Sequence, residues 1–238
     1  MKQLKDIALL ISREICPGEM PLQISYLSNL PEGVTETEKR VPSGCTFWPM
    51  GQREPFFAKL DAHKNCEIGY FVMGASPDPQ MQVTLGEKIK WMQDECYLKA
   101  GEENAIPRLR RVPSYVYYGP LGASDISPDV VLLMLDPDKA MIALEALGKE
   151  GMHPSGIPVL GRPACSIIPY ILNTGSRAAL SMGCSGFREF VDEAKGKVLV
   201  AIRGDELQDF AERLEILGDA NRAVAQDARE RKDGFASD

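Results

Sequence analysis

VVLLMLDPDKAMIALEALGK, residues 130–149, decides how this chain folds. Six consecutive apolar residues, Val130–Leu135, form the pattern of a strand covered on both faces. Asp136 is a good N-cap and Pro137 a good first helical residue, so the run turns directly into a helix. The plan recurs in KVLVAIRGDELQDFAERLEIL (197–217), with strand, turn, a common aspartate (Asp138, Asp205) and helix. Both strands are expected to be central and buried, each followed by a helix packed on the sheet. The fold class is α/β (or α+β), a single domain over residues 1–217 with a mixed sheet. A second parallel lies in the cysteines. Cys45 and Cys66 stand 21 residues apart, Cys165 and Cys184 stand 19 apart, and glycine with an aromatic follows each pair (Gly69-Tyr70, Gly186-Phe187). The two parallels suggest two related halves. Residues 218–238 are charged and alanine-rich, the composition of a frayed helix ending in disorder.

Working towards the N-terminus, Leu4, Ile7, Ala8, Ile11 and Ile15 recur at helical spacing. They predict a helix over 2–15, ended by Cys16-Pro17-Gly18. Leu22–Leu27 reads as a strand and residues 31–39, PEGVTETEK, as a surface loop. CTFWPMG (45–51) and PFFAKL (55–60) read as strands, and CEIGYFVMG (66–74) as a strand or short helix. Thr84 and Glu87 form a capping-box pattern ahead of a helical face of Leu85, Ile89, Met92 and Cys96, with Gly101 as the stop. Arg108, Arg110 and Arg111 read as a solvated basic loop before a strand at Val112–Tyr118.

A chain of 238 residues can bury a sizeable core, and 44% apolar with 26% charged residues is ordinary for a globular protein. The net charge of −7 argues against a general nucleic-acid or anionic-membrane partner, because phosphate binding draws on basic surface. No apolar run is long enough to span a bilayer, and the N-terminus makes a poor signal peptide. A cytoplasmic setting follows, in which six sparse cysteines stay reduced. Two histidines, His63 and His153, give little material for a histidine-based triad or zinc site. No phosphate-binding loop or dinucleotide fingerprint occurs, so no nucleotide cofactor is indicated.

Chemistry concentrates in GRPACSIIPYILNTGSRAALSMGCSGFRE, residues 161–189. Small residues flank Cys184, and a helix is expected to begin just after it, which favours a thiolate or a bound anion there. Cys45, Cys66, Cys165 and Cys184 share a setting beside glycine or small residues at element boundaries. Four thiolates can hold an iron–sulfur cluster or a tetrahedral zinc, although the tight Cys-x-x-Cys spacing is absent. His63, three residues before Cys66, could add an imidazole ligand. Cys96 reads as a core residue on its helix face and Cys16 as structural. Three functional readings stand side by side. The first is a cysteine-ligated metal or iron–sulfur protein in redox or cofactor metabolism. The second is a metal-free module binding a small anion through Arg162, Arg177, Arg188, Gly183 and Gly186. The third is a thiol-dependent enzyme with Cys184 as the catalytic candidate, though no base for it is evident.

CTFWPMG, the Cys66–Gly74 segment, PDVVLLML with its DPDKA turn, and GRPAC followed by SMGCSGFRE resemble the uncharacterised archaeal-conserved-region (ArCR) family. That family is a domain of unknown function found in archaea and bacteria. The resemblance covers roughly residues 5–217 and is clearest in the second half, at Gly183, Cys184, Gly186 and Arg188. It implies that Cys45, Cys66, Cys165 and Cys184 occupy the recurrent cysteine positions of the family, and implies no activity.

Overall fold

A computed structural model describes residues 3–148 and 156–235. The chain runs α1 (Leu4–Glu14), β1 (Leu22–Leu27), α2 (Phe47–Arg53), β2 (Phe56–Lys59), α3 (Glu67–Val72), α4 (Pro79–Asp94), β3 (Tyr115–Pro120) and β4 (Val130–Leu135). It continues through α5 (Pro137–Leu147), β5 (Val159–Leu160), α6 (Ile167–Thr174), β6 (Ala178–Ser181), α7 (Ser185–Phe190), β7 (Val198–Arg203) and α8 (Leu207–Phe235). All seven strands form one mixed sheet in the order β2-β3-β1-β4-β7-β6-β5, antiparallel except where β5 meets β6.

The register of this sheet is self-similar. β1 pairs with β4 at Leu22–Leu132, Gln23–Val131 and Ile24–Val130. Superposing β1 on β4 maps the first of these pairs onto the third and the second onto itself. An approximate dyad therefore passes through Gln23–Val131. On either side of it the order repeats: β1 pairs with β3 and β3 with β2, while β4 pairs with β7 and β7 with β6. Each half is thus a three-stranded antiparallel unit with its third strand in the middle. The dyad makes β1 equivalent to β4 and β3 to β7. The resemblance between residues 130–149 and 197–217 consequently belongs to two neighbouring strands within one half, and the cysteine spacing is what marks the halves.

Unbroken apolar strands bury both faces of the sheet. Val131, Leu133 and Leu135 of β4 point into a core with Ile7, Leu10 and Ile11 of α1, the alanines of α5, and Leu207, Phe210 and Leu214 of α8. Val130, Leu132 and Met134 point into the opposite core, with Phe47 and Trp48 of α2, Ile167, Ile168 and Ile171 of α6, and Phe187 of α7. Every residue of β4 is buried, as are the first five of β7, and both strands are internal. Glu14, buried in the first core, is held by Arg13 and Arg222, tying α1 to α8.

Four local expectations give way. CTFWPMG forms a 3-10 turn over Gly44–Thr46 and then α2, where a strand was predicted. Phe47 and Trp48 are adjacent and both enter the same core, whereas the alternation of a strand would send them to opposite faces of the sheet. Pro49 lies in the first turn of α2, where its missing N–H costs no intrahelical bond. The capping box at Thr84 is not used: α4 begins at Pro79, and the Asp78 side chain accepts from Met81 N at 2.9 Å. Thr84 lies inside that helix and donates to Met81 O. The helix stops at Asp94, short of Gly101, and Cys96 is exposed with a φ of 56°, not part of the core. Beyond Gly218, α8 continues to Phe235 with nearly all its side chains in solvent.

A cavity floored by four cysteines

Cys45, Cys66, Cys165 and Cys184 all line one cavity of about 700 Å³ on the α2–α6 face of the sheet. The two halves build its floor in the same way. Cys45 lies in the 3-10 turn that leads into α2, and Cys165 in the matching turn, Ala164–Ser166, that leads into α6. Cys66 is the N-cap of α3 and Cys184 the N-cap of α7. Each N-cap sulfur accepts a backbone N–H from the third residue onward: Gly69 N to Cys66 Sγ at 3.3 Å, and Phe187 N to Cys184 Sγ at 3.4 Å. A Cβ at Gly69 would stand 2.9 Å from Cys66 Sγ as that sulfur lies, although Phe187 makes the matching bond to Cys184 with a full side chain. All four cysteines are free thiols, and so are Cys16 and Cys96, which do not line the cavity.

The sulfurs sense one another. Burial pushes the Cys165 thiol well up, and negative charge on Cys66, Cys184 or Cys45 would push it further. Burial likewise raises Cys45 to about 11, with the Ser43 hydroxyl working against the shift and Cys66 and Cys184 adding to it. Ser43 links the first pair, its Oγ 3.1 Å from Cys45 Sγ and donating to Cys66 Sγ at 3.5 Å. Among the described residues, no three of the His, Cys, Asp and Glu side chains are gathered as the ligands of a single metal ion. The four cysteines share the lining of one cavity without being gathered around a single point.

His63 borders the same cavity, but its ring is committed elsewhere. Nδ1 lies 3.1 Å from the carbonyl oxygens of both Lys59 and Leu60, so Nδ1 carries the proton. Nε2 then accepts from the Tyr118 hydroxyl at 2.9 Å. His63 is therefore a buried neutral histidine, packed edge-on to Phe47, and neither a ligand partner for Cys66 nor an available base. His153 lies outside the described residues.

Two of the three singled-out arginines are engaged away from the cavity lining. Arg177 donates to Leu147 O, to Glu206 at 2.7 Å and to Asp209 at 3.0 Å, joining the β6 edge to α8. Arg188 donates to the carbonyls of Met182, Ala194 and Lys197, closing the turn between α7 and β7. Gly183, with a φ of 84°, packs beside Phe187 and Arg188, while Gly186 does line the cavity. Arg162 lines it too, with its guanidinium 3.8 Å from the centre of the Tyr97 ring.

The halves differ in what roofs this floor. Between α7 and β7 the second half has only a short 3-10 turn. Between α3 and β3 the first half carries a long excursion that includes α4 and supplies Lys88, Trp91, Met92, Tyr97, Leu98 and Ile106 to the cavity wall. Its two ends are pinned together. Leu109 N donates to Val72 O, and Arg108 donates to Phe71 O and Ala75 O. Gly74 has a φ of 78° and lies so near Leu109 that a Cβ would stand 2.2 Å from its carbonyl oxygen.

Sequence reading missed Ser43, the Tyr118–His63 pair and the roof. One signal could have strengthened the pairing of halves. Cys45-Thr-Phe-Trp-Pro49 and Cys165-Ser-Ile-Ile-Pro169 share cysteine, hydroxyl, two apolar residues and proline, and they occupy matching turns.

The cavity, its cysteines and most of the sheet fall within residues 15–213, which match the model of a family described as uncharacterised ArCR. An uncharacterised protein of Methanocaldococcus jannaschii is 26% identical over 196 residues, covering 78% of this chain and 81% of that one. No solved structure matches the chain significantly. With a match over most of its length, this chain belongs to the uncharacterised ArCR family.

Proposed function

We propose that Cys45, Cys66, Cys165 and Cys184 together hold an iron–sulfur cluster, and that the protein acts in redox or cofactor metabolism in a reducing, cytoplasmic setting. The observation that carries this reading is that four free thiols, two from each half, line the same cavity. The donor set suits the group, since cysteine thiolates are the usual ligands of such clusters. The surroundings suit it as well. Backbone N–H groups already point at Cys66 and Cys184, and Gly69 keeps the space that a Cβ would fill. Hydrogen bonds to the sulfurs are one of the levers that set cluster potential.

A single tetrahedral zinc fits less well. Its four sulfurs would have to lie about 3.8 Å apart, given a metal–sulfur bond of about 2.3 Å. The sulfurs here are not gathered around one ion. An iron–sulfur cluster would be held by Cys45, Cys66, Cys165 and Cys184 each through a different iron, so the four donors would not have to meet at one ion. When bound, the cluster would supply one-electron transfer. The chain's own part is to hold the four sulfurs, donate hydrogen bonds to two of them, and surround the site with aromatic and aliphatic walls. The thiol-enzyme reading is weaker, because the one described histidine has both ring nitrogens committed.

Anaerobic purification and reconstitution, followed by iron and acid-labile sulfide analysis, tests the proposal. Four irons and four sulfides per chain, with broad visible absorption lost in each of the four Cys→Ser variants, is the expected result. Protein that takes up no iron under these conditions overturns it.

A further inference from the structure

We propose that the part of the cavity beyond the cysteines binds a flat, largely apolar small molecule with an acidic end, and that Arg162 receives that acid group. This shares the cavity with the proposed centre but not its chemistry, so either idea can fail without the other.

Size is the first consideration. About 700 Å³ falls within the range of roughly 300–1,000 Å³ typical of small-molecule sites and exceeds what four sulfurs alone would require. The second is the wall. Trp48, Trp91, Tyr97 and Phe187 line it, and such a surface recognises planar apolar bodies by stacking. The third is the charge at its edge. The Arg162 guanidinium carbon lies 3.8 Å over the centre of the Tyr97 ring, a contact that holds the group at the cavity wall. Among the described residues Arg162 has no hydrogen-bond acceptor, unlike Arg108, Arg177, Arg188 and Arg203, which are bonded to carbonyls or carboxylates. A planar fork with free donors is the arrangement that takes a carboxylate or phosphate bidentately. Lys88, 4.6 Å over the Trp91 ring, adds a second cation to the same wall. Glu67 and Glu95 also line the cavity, so the probes below include a cation as well as an anion.

Three probes with one aromatic body separate these terms: 2-naphthoate, 2-naphthamide and 2-naphthylmethylammonium. Each is titrated calorimetrically into the full-length protein, both as purified and after reconstitution with iron and sulfide. The expected result is that naphthoate binds about tenfold or more tightly than naphthamide, with the ammonium weakest, as a charge-assisted pair would give. Arg162→Gln should bring naphthoate down to the amide's affinity and leave the amide unchanged, and Arg162→Lys should fall between. Equal binding of naphthoate and naphthamide, tighter binding of the ammonium, no binding of any probe, or an Arg162→Gln variant indistinguishable from wild type would each overturn the proposal. The carboxylate–amide comparison is made on the unsubstituted protein, so it stands even were a variant to unfold. Reconstitution reports separately on the cluster.

Discussion

The Tyr118 hydroxyl donates to Nε2 of His63 at 2.9 Å, joining β3 to the turn ahead of Cys66 at the wall of the cavity. Both groups are buried, and burial holds His63 down at about 4. Its native pKa thus lies below the unfolded value near 6.5, so the unfolded state binds the extra proton first. Stability from this source is complete above about pH 6.5 and is lost progressively as pH falls towards 4. Urea unfolding at pH 7.5, 6 and 5 should show a declining midpoint, and His63→Gln should flatten that decline. Tyr118→Phe leaves Nε2 without a donor and should cost about 1–3 kcal/mol at pH 7.5. A midpoint that does not change between pH 7.5 and 5 would contradict the linkage.

Cys45, at about 11, and Cys165, pushed well above the ordinary thiol value by burial, are both protonated at neutral pH in the metal-free protein. Any metal centre they hold must displace those protons, so its assembly should strengthen as pH rises. Reconstitution between pH 6.5 and 8.5, monitored by iron retained against a competing chelator, should give greater retention at each step upward. Proton release during assembly should be measurable in weakly buffered solution. Retention independent of pH would exclude these two thiols as ligands.

Gly69→Ala introduces a Cβ 2.9 Å from Cys66 Sγ, so the sulfur must shift from its present position. The variant should fold, with a melting temperature lowered by a few degrees, while iron retention falls sharply. Gly74→Ala meets a carbonyl at 2.2 Å from a left-handed backbone and should destabilise more, by about 2 kcal/mol or above. Circular dichroism melts and iron analysis on the two variants separate a site effect from a fold effect.

Cys96 is exposed, in the left-handed region, beyond the end of α4. Cys96→Ser should change stability by no more than about 0.5 kcal/mol, and Cys96→Gly should be neutral or stabilising because glycine adopts that backbone without strain. Cys16 is buried, and its thiol is pushed up to about 12 by burial and by Glu19. In the native metal-free protein Cys96 should react with a thiol reagent first and Cys16 very slowly. Mass spectrometry of partially labelled protein would show the order.

The sequence by itself determined the strands at Val130–Leu135 and Val198–Ile202, the helices α1 and α5, and the placement of Cys184 at a helix start. Each of these is a local matter: an unbroken apolar run, a 3.6-residue period, or a cap beside small residues, all readable within a dozen positions. It also singled out four cysteines of six, by their small neighbours and by the similar spacing of the two pairs. The tertiary structure decided the rest. CTFWPMG becomes helical because two adjacent aromatics must both be buried between the sheet and the cavity. Arg177 and Arg188 meet acceptors on α8 and around the turn before β7, whereas Arg162 comes to rest against Tyr97, an aromatic on the roof of the other half. Bringing Cys45 and Cys66 to one floor with Cys165 and Cys184 depends on β1 pairing with β4 in a register that maps onto itself. Such pairing joins residues more than a hundred positions apart, and its register is chosen by which faces of both strands can be covered at once.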